Sequence, residues 1–425
     1  MTAPTERGAA AAVAAVVADD HPRVMAAVVG TLGDWSIAED AVQDALERAL
    51  ARWPADGVPD SPAAWITTVA RRRGIDLLRS RAAADRAAER LAHEPAAEPD
   101  DASGASGFPH DDERLALLHT ACHPAIAADA RAALALRAVL GVPVERIARL
   151  FGVGEDAMQK RLVRARAKIR NAGIPYRVPG PAELPGRSEG VRQVLYGLFA
   201  IGYAAPADAD ARAAASEAIR LARLLRELTP ERTHERVEAD GLLALMLLQH
   251  ARRDARVRAD GSAVPLPEQD RDRWDRALAR EGLALVDAAL ALAASSGLAG
   301  GRHLVHAAIA AEHVRPELAA RIDHGRVVEL YRVLERLDGS PFVVLNRAIA
   351  QANDGDAEGG LAALDEVADA LERHHLLHAA RGDLLRRVGR DAEAAEALRR
   401  GAGLAPTDAE RRALVEAAAA AEAGR

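Results

Sequence analysis

The chain has 425 residues, enough for two or three domains with buried cores, and its abundant alanine and scarce aromatic residues favour closely packed helices over sheets. A net charge of −7 argues against a nonspecific polyanion-binding protein, and the single cysteine, Cys122, rules out an intramolecular disulfide. Because no stretch reaches the ~20 apolar residues that cross a bilayer and no secretion signal is recognisable, we predict an all-α, cytoplasmic protein without membrane contact.

The first predicted element is an acidic helix, within a region that we assign to residues 8–91. Apolar residues recur at helical spacing from Ala38 to Ala49, with Asp34 or Ser36 as the N-cap, and they leave a negatively charged stripe on the outer face. Such a stripe alone is more often a solvated helix face than a docking surface for a basic partner. The stripe consists of Glu39, Asp40, Gln43, Asp44 and Glu47.

An arginine-rich helix follows a loop at residues 53–62 that holds three prolines and one glycine. Ser61 is a suitable N-cap for this helix, and Pro62 is a suitable first residue. Residues 65–81 carry five arginines against one aspartate, so we interpret the helix as a contact to DNA where the strands separate, with the loop receiving an unstacked base. A surface helix without a DNA role is the less favoured alternative. The candidate contacts are Trp65, Arg71, Arg72, Arg73, Arg79 and Arg81.

The segment at residues 92–113 is predicted to be an acidic, flexible linker. It carries seven acidic residues and no lysine or arginine, and prolines, glycines and serines are interspersed among them. Fully extended, such a linker spans up to roughly 70 Å. That length is comparable to about 20 base pairs of DNA, so one chain can reach two separated DNA elements.

A helix-turn-helix is predicted in the next region, residues 114–172. Residues 145–170 carry eight basic side chains against three acidic ones, and Gly152 provides the turn between the two helices. A structural helical hairpin without a DNA role is the less favoured alternative. The side chains expected at base edges are Glu155, Asp156, Gln159 and Lys160. Those expected at phosphates are Arg161, Arg164, Arg166, Lys168 and Arg170.

A second break, rich in proline and glycine, lies at residues 173–186, and residues 187–425 form a predicted helical domain. Near its end Gly355 and Gly389 occupy equivalent turns, with Leu364 and Leu398 in register behind them. The spacing matches the tetratricopeptide length of 34 residues. We therefore predict a helical domain of tetratricopeptide-like character.

Residues 8–172 resemble the paired DNA-binding regions of bacterial sigma-70 factors of the extracytoplasmic-function (ECF) group. The resemblance implies that residues 8–91 are region 2, whose acidic helix docks on the clamp helices of the RNA polymerase β′ subunit and whose arginine-rich helix binds the −10 element. It implies that residues 114–172 are region 4, which binds the −35 element and the β flap. In this family the loop matching residues 53–62 receives a flipped −10 base.

The resemblance extends over nearly the whole chain, to an ECF subgroup with a long, tetratricopeptide-like C-terminal extension. In that subgroup the extension is thought to regulate the sigma factor in place of a separate anti-sigma protein. Two segments depart from the subgroup pattern: residues 199–203, Phe-Ala-Ile-Gly-Tyr, lack the usual Asn-Glu pair, and Arg302-His303 replace the usual Pro-Tyr. The matching segments are residues 121–124, 241–246, 269–274 and 345–348.

No catalytic, cofactor or metal site is predicted. Neither of the two lysines, Lys160 and Lys168, follows a glycine, so a P-loop is absent, and no His-Glu-x-x-His motif occurs. Two histidine groups at helical spacing are more typical of polar surface or core positions than of metal ligands. The charged segment 269–274 is interpreted as an internal salt-bridge cluster, with a ligand site as the less favoured alternative. The histidine groups are His303, His306 and His313, and His374, His375 and His378.

These observations predict a sigma factor that binds core RNA polymerase and promoter DNA, without catalytic residues of its own. An unknown ligand or protein on the C-terminal domain is a further expected partner. Two alternatives stay open: a helix-turn-helix regulator that binds an operator without polymerase, and a helical-repeat scaffold.

Overall fold

In the ranges that it describes, the computed structural model is predominantly helical and contains no β-strand, which confirms the predicted all-α class. The predicted acidic linker lies outside the described residues except for Ala92. The turn residue Gly152 and the side chain of Arg81 also lie outside them. The described residues are 4–92, 118–140, 142–151, 153–172, 174, 183–204, 209–258, 264–315 and 321–423.

The chain divides into two compact units, and the boundary segment at residues 202–225 contributes to both. The first comprises Met1–Ile201 with Ala213–Leu225, and the second comprises Gly202–Arg212 with Arg226–Arg425. The helices of the N-terminal half are α1 Pro4–Ala15, α2 His21–Leu32, α3 Trp35–Asp56, α4 Pro62–Ala92, α5 Ala128–Leu140, α6 Val144–Leu150, α7 Glu155–Asn171, α8 Leu184–Ala204 and α9 Ala209–Leu228; a π-helical turn, Val16–Asp20, joins α1 to α2.

Helix α3 begins at a cap that the sequence offers and ends later than the sequence predicts. Gly33, at φ 67°, ends α2, and the Asp34 carboxylate then accepts a hydrogen bond from the backbone N–H of Ile37 at 3.1 Å. Helix α3 runs through Pro54 to Asp56, so the prediction that the helix stops at residue 53 is wrong. Pro54 has no N–H to donate to the carbonyl oxygen four residues earlier, and the helix ends within the next turn, at Gly57 with φ 85°. The predicted base-receiving loop is therefore shortened to residues 57–61.

Small residues allow α2, α3 and α4 to pack closely. Ala38, Ala41 and Ala45 of α3 have no exposed surface. Gly74 of α4 faces Leu32, and a Cβ atom there would lie 2.1 Å from a Leu32 methyl carbon. This close packing fixes which face of α4 is turned towards solvent.

Helix α8 packs against the helix-turn-helix region. Gly190 lies against Cys122, since a Cβ atom at residue 190 would sit 3.1 Å from the Cys122 carbonyl oxygen, and Arg187 donates a hydrogen bond to the His119 carbonyl oxygen at 3.4 Å. Burial raises the pKa of the Cys122 thiol to about 12, which makes the thiol unreactive. The packing of the helix-turn-helix region thus continues past residue 172 into α8.

A long apolar helix, α10 at His234–His250, forms the centre of the second unit. Every side chain from Val237 to Leu248 is buried. Helix α10 packs against the next two helices, α11 Arg276–Ser296 and α12 Arg302–Val314. The remaining helices follow in chain order: α13 His324–Leu337, α14 Pro341–Asn353, α15 Ala357–Glu366, α16 Ala368–Leu371, α17 His375–Arg387, α18 Asp391–Leu404 and α19 Asp408–Glu422.

The 34-residue repeat is present as two helical hairpins, α14–α15 and α17–α18. Gly355 and Gly389 form the turns within the hairpins, both with positive φ, at 101° and 75°. Leu364 and Leu398 are buried behind them. Asn353 and Arg387, 34 residues apart at the ends of equivalent helices, are joined by a 2.8 Å hydrogen bond. The 34-residue spacing seen in the sequence therefore corresponds to two successive helical hairpins.

A buried carboxylate fixes α12 on α10. Glu238 accepts hydrogen bonds from the backbone N–H groups of His303 and Leu304, at 3.1 and 3.2 Å, and its Oε2 lies 2.9 Å from His303 Nδ1. Burial alone would raise the pKa of Glu238, but the hydrogen bonds from His303 and Leu304 outweigh it and lower the pKa to about 2. The ionised carboxylate therefore serves as the N-terminal cap that Gly301, without a side chain, cannot provide.

We expect Glu238→Gln to destabilise the protein by about 2–3 kcal/mol at pH 7, because an amide cannot accept this set of hydrogen bonds as an ionised carboxylate does. Since the pKa of Glu238 is lowered from 4.5 to about 2 on folding, its contribution is complete above pH 4.5 and is lost as the pH falls towards 2. Urea unfolding at pH 7 and pH 3.5 measures both effects. Glu329→Gln, at an exposed carboxylate, is the control. Equal losses of unfolding free energy in the two variants would contradict this account. So would a difference in unfolding free energy between the native protein and Glu238→Gln that is as large at pH 3.5 as at pH 7.

Candidate nucleic-acid interface

The arginine-rich helix α4 turns its arginines in different directions. Arg71 is half-buried and donates two hydrogen bonds, at 3.3 and 3.2 Å, to the carbonyl oxygen of Ala27 in α2. Arg73 pairs with Asp44 of α3 at 3.1 Å, and Arg48 pairs with the same carboxylate at 3.0 Å. The guanidinium groups of Arg71 and Arg73 thus hold α4 against its neighbours.

Arg72 and Arg79 lie on the exposed face of α4, together with Thr68 and Ile75. This face is the part of α4 that is accessible to DNA. Two exposed guanidinium groups about two helical turns apart suit contacts to successive phosphates.

Two tryptophans flank the shortened loop at residues 57–61. Trp53 is buried at the end of α3, and the half-buried Trp65 meets it edge to face, with ring centres 5.5 Å apart. The pair forms a rigid apolar wall beside the loop, of the kind on which an unstacked base can pack.

Helix α7 presents its first two turns to solvent. Glu155, Asp156, Gln159 and Lys160 are all exposed. Buried side chains on the opposite face anchor the helix: Met158, Leu162, Ala165 and Ile169. The exposed residues therefore occupy the end of the helix that enters the major groove in helix-turn-helix proteins.

Two of the candidate phosphate contacts of α7 are held close to the protein surface. Arg161 lies over the ring of Phe151, 5.8 Å from its centre, and Arg164 donates a hydrogen bond to the Lys160 carbonyl oxygen at 3.3 Å. Both side chains remain at the margin of the exposed face of α7.

The acidic stripe of α3 and the helix α7 contact each other. Arg166 makes a two-pronged ion pair with Glu39, with N–O distances of 2.8 and 2.7 Å, and Arg170 lies 3.9 Å from Asp34. We name these four residues the α3–α7 contact. Burial raises the pKa of Glu39, which Arg166 opposes. Such a pair, with side chains only 25% and 17% exposed, is tighter than an ordinary surface ion pair.

A cleft of about 320 Å³ lies beside the α3–α7 contact. Asp40 and Gln43 of the acidic stripe line it, opposite Gln159 and Val163 of α7. Two stripe residues, Asp44 and Glu47, do not line the cleft: Asp44 pairs with Arg73, and Glu47 accepts a hydrogen bond from Gln43 at 3.0 Å. The two predicted binding surfaces thus partly cover one another.

The sequence did not reveal the α3–α7 contact. From the sequence, Arg166 and Arg170 are predicted only as phosphate contacts, and Glu39 is 127 residues away from Arg166. A lone acidic stripe and a lone basic helix are complementary in charge, but that complementarity does not identify which side chains meet.

In the described ranges no three His, Cys, Asp or Glu side chains are grouped closely enough to hold a metal ion. None of the described helices combines the length and the apolar character that crossing a membrane requires.

Three families match successive parts of the chain. Residues 16–84 match Sigma-70 region 2, residues 120–169 match Sigma-70, region 4, and residues 187–290 match a Family of unknown function (DUF6596). An uncharacterized protein of Rhizobium meliloti (strain 1021) is 38% identical over 394 residues, which cover 92% of this chain and 91% of that protein. No solved structure matches significantly.

Proposed function

The chain belongs to the sigma-70 family, as an ECF-type factor with a C-terminal extension, and we propose that it binds core RNA polymerase and directs it to specific promoters. Family membership places the protein in transcription initiation. One observation supports polymerase binding and promoter selection in particular. The same chain combines an acidic α3 with two separate helices, α4 and α7, that expose the candidate DNA-binding side chains.

Core polymerase is the proposed partner of the acidic stripe, through the β′ clamp helices. Glu39, Asp40, Gln43, Asp44 and Glu47 offer negative charge on one face of α3, which suits a basic coiled coil. The β flap is the proposed partner of region 4. The matched relative, an uncharacterized protein, identifies no partner.

Promoter DNA is the proposed partner of α4 and α7. At the −10 element we assign phosphate contacts to Arg72 and Arg79, and base packing to Trp65 beside the loop. At the −35 element Glu155, Asp156, Gln159 and Lys160 would contact base edges in the major groove. Arg161 and Arg164 would contact the flanking phosphates, which position the helix without specifying sequence.

Promoter binding requires the α3–α7 contact to open, because Glu39 and Gln159 cannot face polymerase and DNA while they face each other. Polymerase and promoter would each bind the open form more tightly than the closed form. Their differential affinity would then supply the free energy of opening.

Arg166→Glu is expected to open the contact, since it places two carboxylates together at a partly buried site. A shift of about 2 kcal/mol corresponds to a roughly 30-fold rise in the ratio of open to closed protein. Fluorescence energy transfer between dyes at Ala51→Cys and Asn171→Cys reports the change, and the buried Cys122 should stay unlabelled.

The charge-swapped double variant, Glu39→Arg with Arg166→Glu, is the matched control. It restores an opposite-charge pair and should recover high transfer efficiency. Unchanged transfer in Arg166→Glu would show that the contact does not hold the two regions together.

Co-purification tests the proposed function directly. The tagged full-length chain should retain bacterial core RNA polymerase, and an operator-binding regulator or a scaffold should not. Failure to retain polymerase in both the native protein and the Arg166→Glu variant would remove support for the proposal.

A further inference from the structure

A valine lies on the exposed face of α7, the second helix of the helix-turn-helix region. Val163 is 60% exposed, the highest value among the large apolar side chains of the described residues. The preceding residue, Leu162, belongs to the buried face and is only 1% exposed. Single exposed apolar residues are common on protein surfaces and need no explanation by themselves. The place of Val163 on α7 gives its exposure a meaning.

Val163 lies near the centre of the face that α7 turns to solvent. It follows Asp156 by seven residues, which places the two side chains about 20° apart around the helix axis and about 10 Å apart along it. Gln159 and Lys160 lie between them on the same face. These four exposed residues, which we name the α7 stripe, are Asp156, Gln159, Lys160 and Val163.

Arginines lie on both sides of the α7 stripe next to Val163. Arg164 is one residue and Arg166 is three residues further along the helix, so their side chains project to opposite sides of the stripe. Arg166 pairs with Glu39 in the closed form and becomes available when the α3–α7 contact opens. Cations on both sides of a central face suit a groove with phosphates along both walls. Val163 then faces the floor of the groove, where the base edges lie.

The α3–α7 contact does not bury Val163. The side chain lines the cleft beside that contact, opposite Asp40 and Gln43, yet more than half of its surface stays exposed. The helix itself does not require valine at this place, because alanine is more favourable than a β-branched residue at an exposed helix position. The methyl groups of Val163 are therefore available to a binding partner.

The chemistry of the major groove identifies a group that these methyls can contact. Base edges there present hydrogen-bond donors and acceptors, and the apolar group among them is the C5-methyl of thymine. A valine cannot satisfy the polar groups of the other base edges, and burying them against it is unfavourable. An apolar side chain at the floor of the groove therefore favours thymine.

We propose that Val163 is a specificity-determining residue that contacts the C5-methyl group of a thymine in the −35 element. The inference rests on the proposed function and adds a base type to the contacts assigned there to Asp156, Gln159 and Lys160. A distance of about 10 Å along α7 corresponds to roughly three base steps. The −35 element should therefore contain an A·T pair about three base pairs from the base that Asp156 reaches.

Replacing thymine by deoxyuridine in promoter DNA tests the proposal, because it removes the methyl group and keeps the base pair. Holoenzyme formed from core polymerase and the full-length chain would be titrated with a promoter at which it starts transcription. Each −35 thymine, on either strand, would be replaced in turn. We expect one replacement to weaken binding roughly three- to fivefold, the effect of losing one buried methyl group, and the others to change binding little.

Val163→Ala is the informative variant, and Val415→Ala is its matched control. Val163→Ala should bind the thymine promoter more weakly by the same factor and should no longer distinguish thymine from deoxyuridine at the sensitive position. Val415 is 51% exposed on α19, and Val415→Ala should keep the native sensitivity. A change in the ratio of open to closed protein affects binding to both DNAs equally, so it cancels in this comparison.

Equal sensitivity of Val163→Ala and the native protein to every replacement would overturn the proposal, as would a −35 element without an A·T pair. A weaker binding by Val163→Ala that is the same for thymine and deoxyuridine promoters, with no sensitive position in the native protein, would overturn it too. These results leave the proposed function intact. Failure of the chain to bind core polymerase or to start transcription would instead overturn both the proposed function and this inference.

Discussion

Replacing Arg72 and Arg79 together with alanine is expected to weaken promoter binding by the polymerase holoenzyme roughly 100-fold, while the fold remains intact. Both side chains are exposed on α4. Each lost phosphate contact should make the negative slope of log affinity against log salt concentration shallower by about 0.9. The slope for the double variant should therefore be shallower by about 1.8.

Arg71→Ala is expected to behave differently, although it changes the same helix. Its guanidinium holds the Ala27 carbonyl oxygen, so its loss should reduce the stability of region 2 by about 1–3 kcal/mol. Gel-shift titrations with holoenzyme and permanganate footprints measure promoter binding and opening, and urea unfolding measures stability. Arg52→Ala, an exposed arginine of α3, serves as the control.

Equal binding by the Arg72→Ala, Arg79→Ala variant and the native protein would remove α4 from the DNA interface. A salt slope that does not change would show that the lost affinity, if any, does not come from phosphate contacts.

Reversing the charge of Asp40 and Glu47 to lysine is expected to weaken binding to core polymerase by roughly 100-fold. Both residues are exposed on α3, and lysines there would face the basic clamp helices that we propose as the partner. Glu39 is left unchanged because its reversal would also break the α3–α7 contact. Fluorescence anisotropy of labelled protein with core polymerase measures the affinity.

Asp56→Lys, at the exposed end of the same helix, is a control for charge reversal outside the acidic stripe. It should bind polymerase nearly as the native protein does. A similar loss for both variants would mean that net charge, and not the acidic stripe, governs the association.

The sequence predicted the helices and the repeat well because the determinants are local. Ser61 precedes α4 and Pro62 is its first residue, and Gly355 and Gly389 supply the positive φ angles at which the repeated hairpins turn. Helical spacing of apolar residues likewise predicted the buried face of α3. Such features depend on residues a few positions apart.

The roles of individual arginines could not be predicted, because they depend on residues distant in the chain. Arg71 and Arg72 are neighbours of the same type, yet Arg71 reaches a carbonyl oxygen 44 residues away and Arg72 faces solvent. The pairing of Arg166 with Glu39 is set in the same way by the packing of two regions. Charge density predicts a binding face but does not separate cations that bind partners from those that hold the fold.

The packing of α8 shows a similar limit. The prolines and glycines of residues 173–186 predicted a boundary at that point, and they do separate helices. The chain beyond them nevertheless returns to the helix-turn-helix region, where Gly190 permits close approach to Cys122. Composition indicates where a helix ends, whereas the surface that the next helix covers depends on tertiary contacts.

Run-off transcription is the most direct test of the central claim. Core bacterial RNA polymerase with the full-length chain, and with its Arg166→Glu variant, would transcribe a library of genomic fragments from the source organism. We expect discrete new start sites that share two upstream elements, at the spacing of −35 and −10 sequences. Absence of both polymerase binding and new transcripts, with either form of the protein, would contradict the assignment of this chain as a promoter-directing sigma factor.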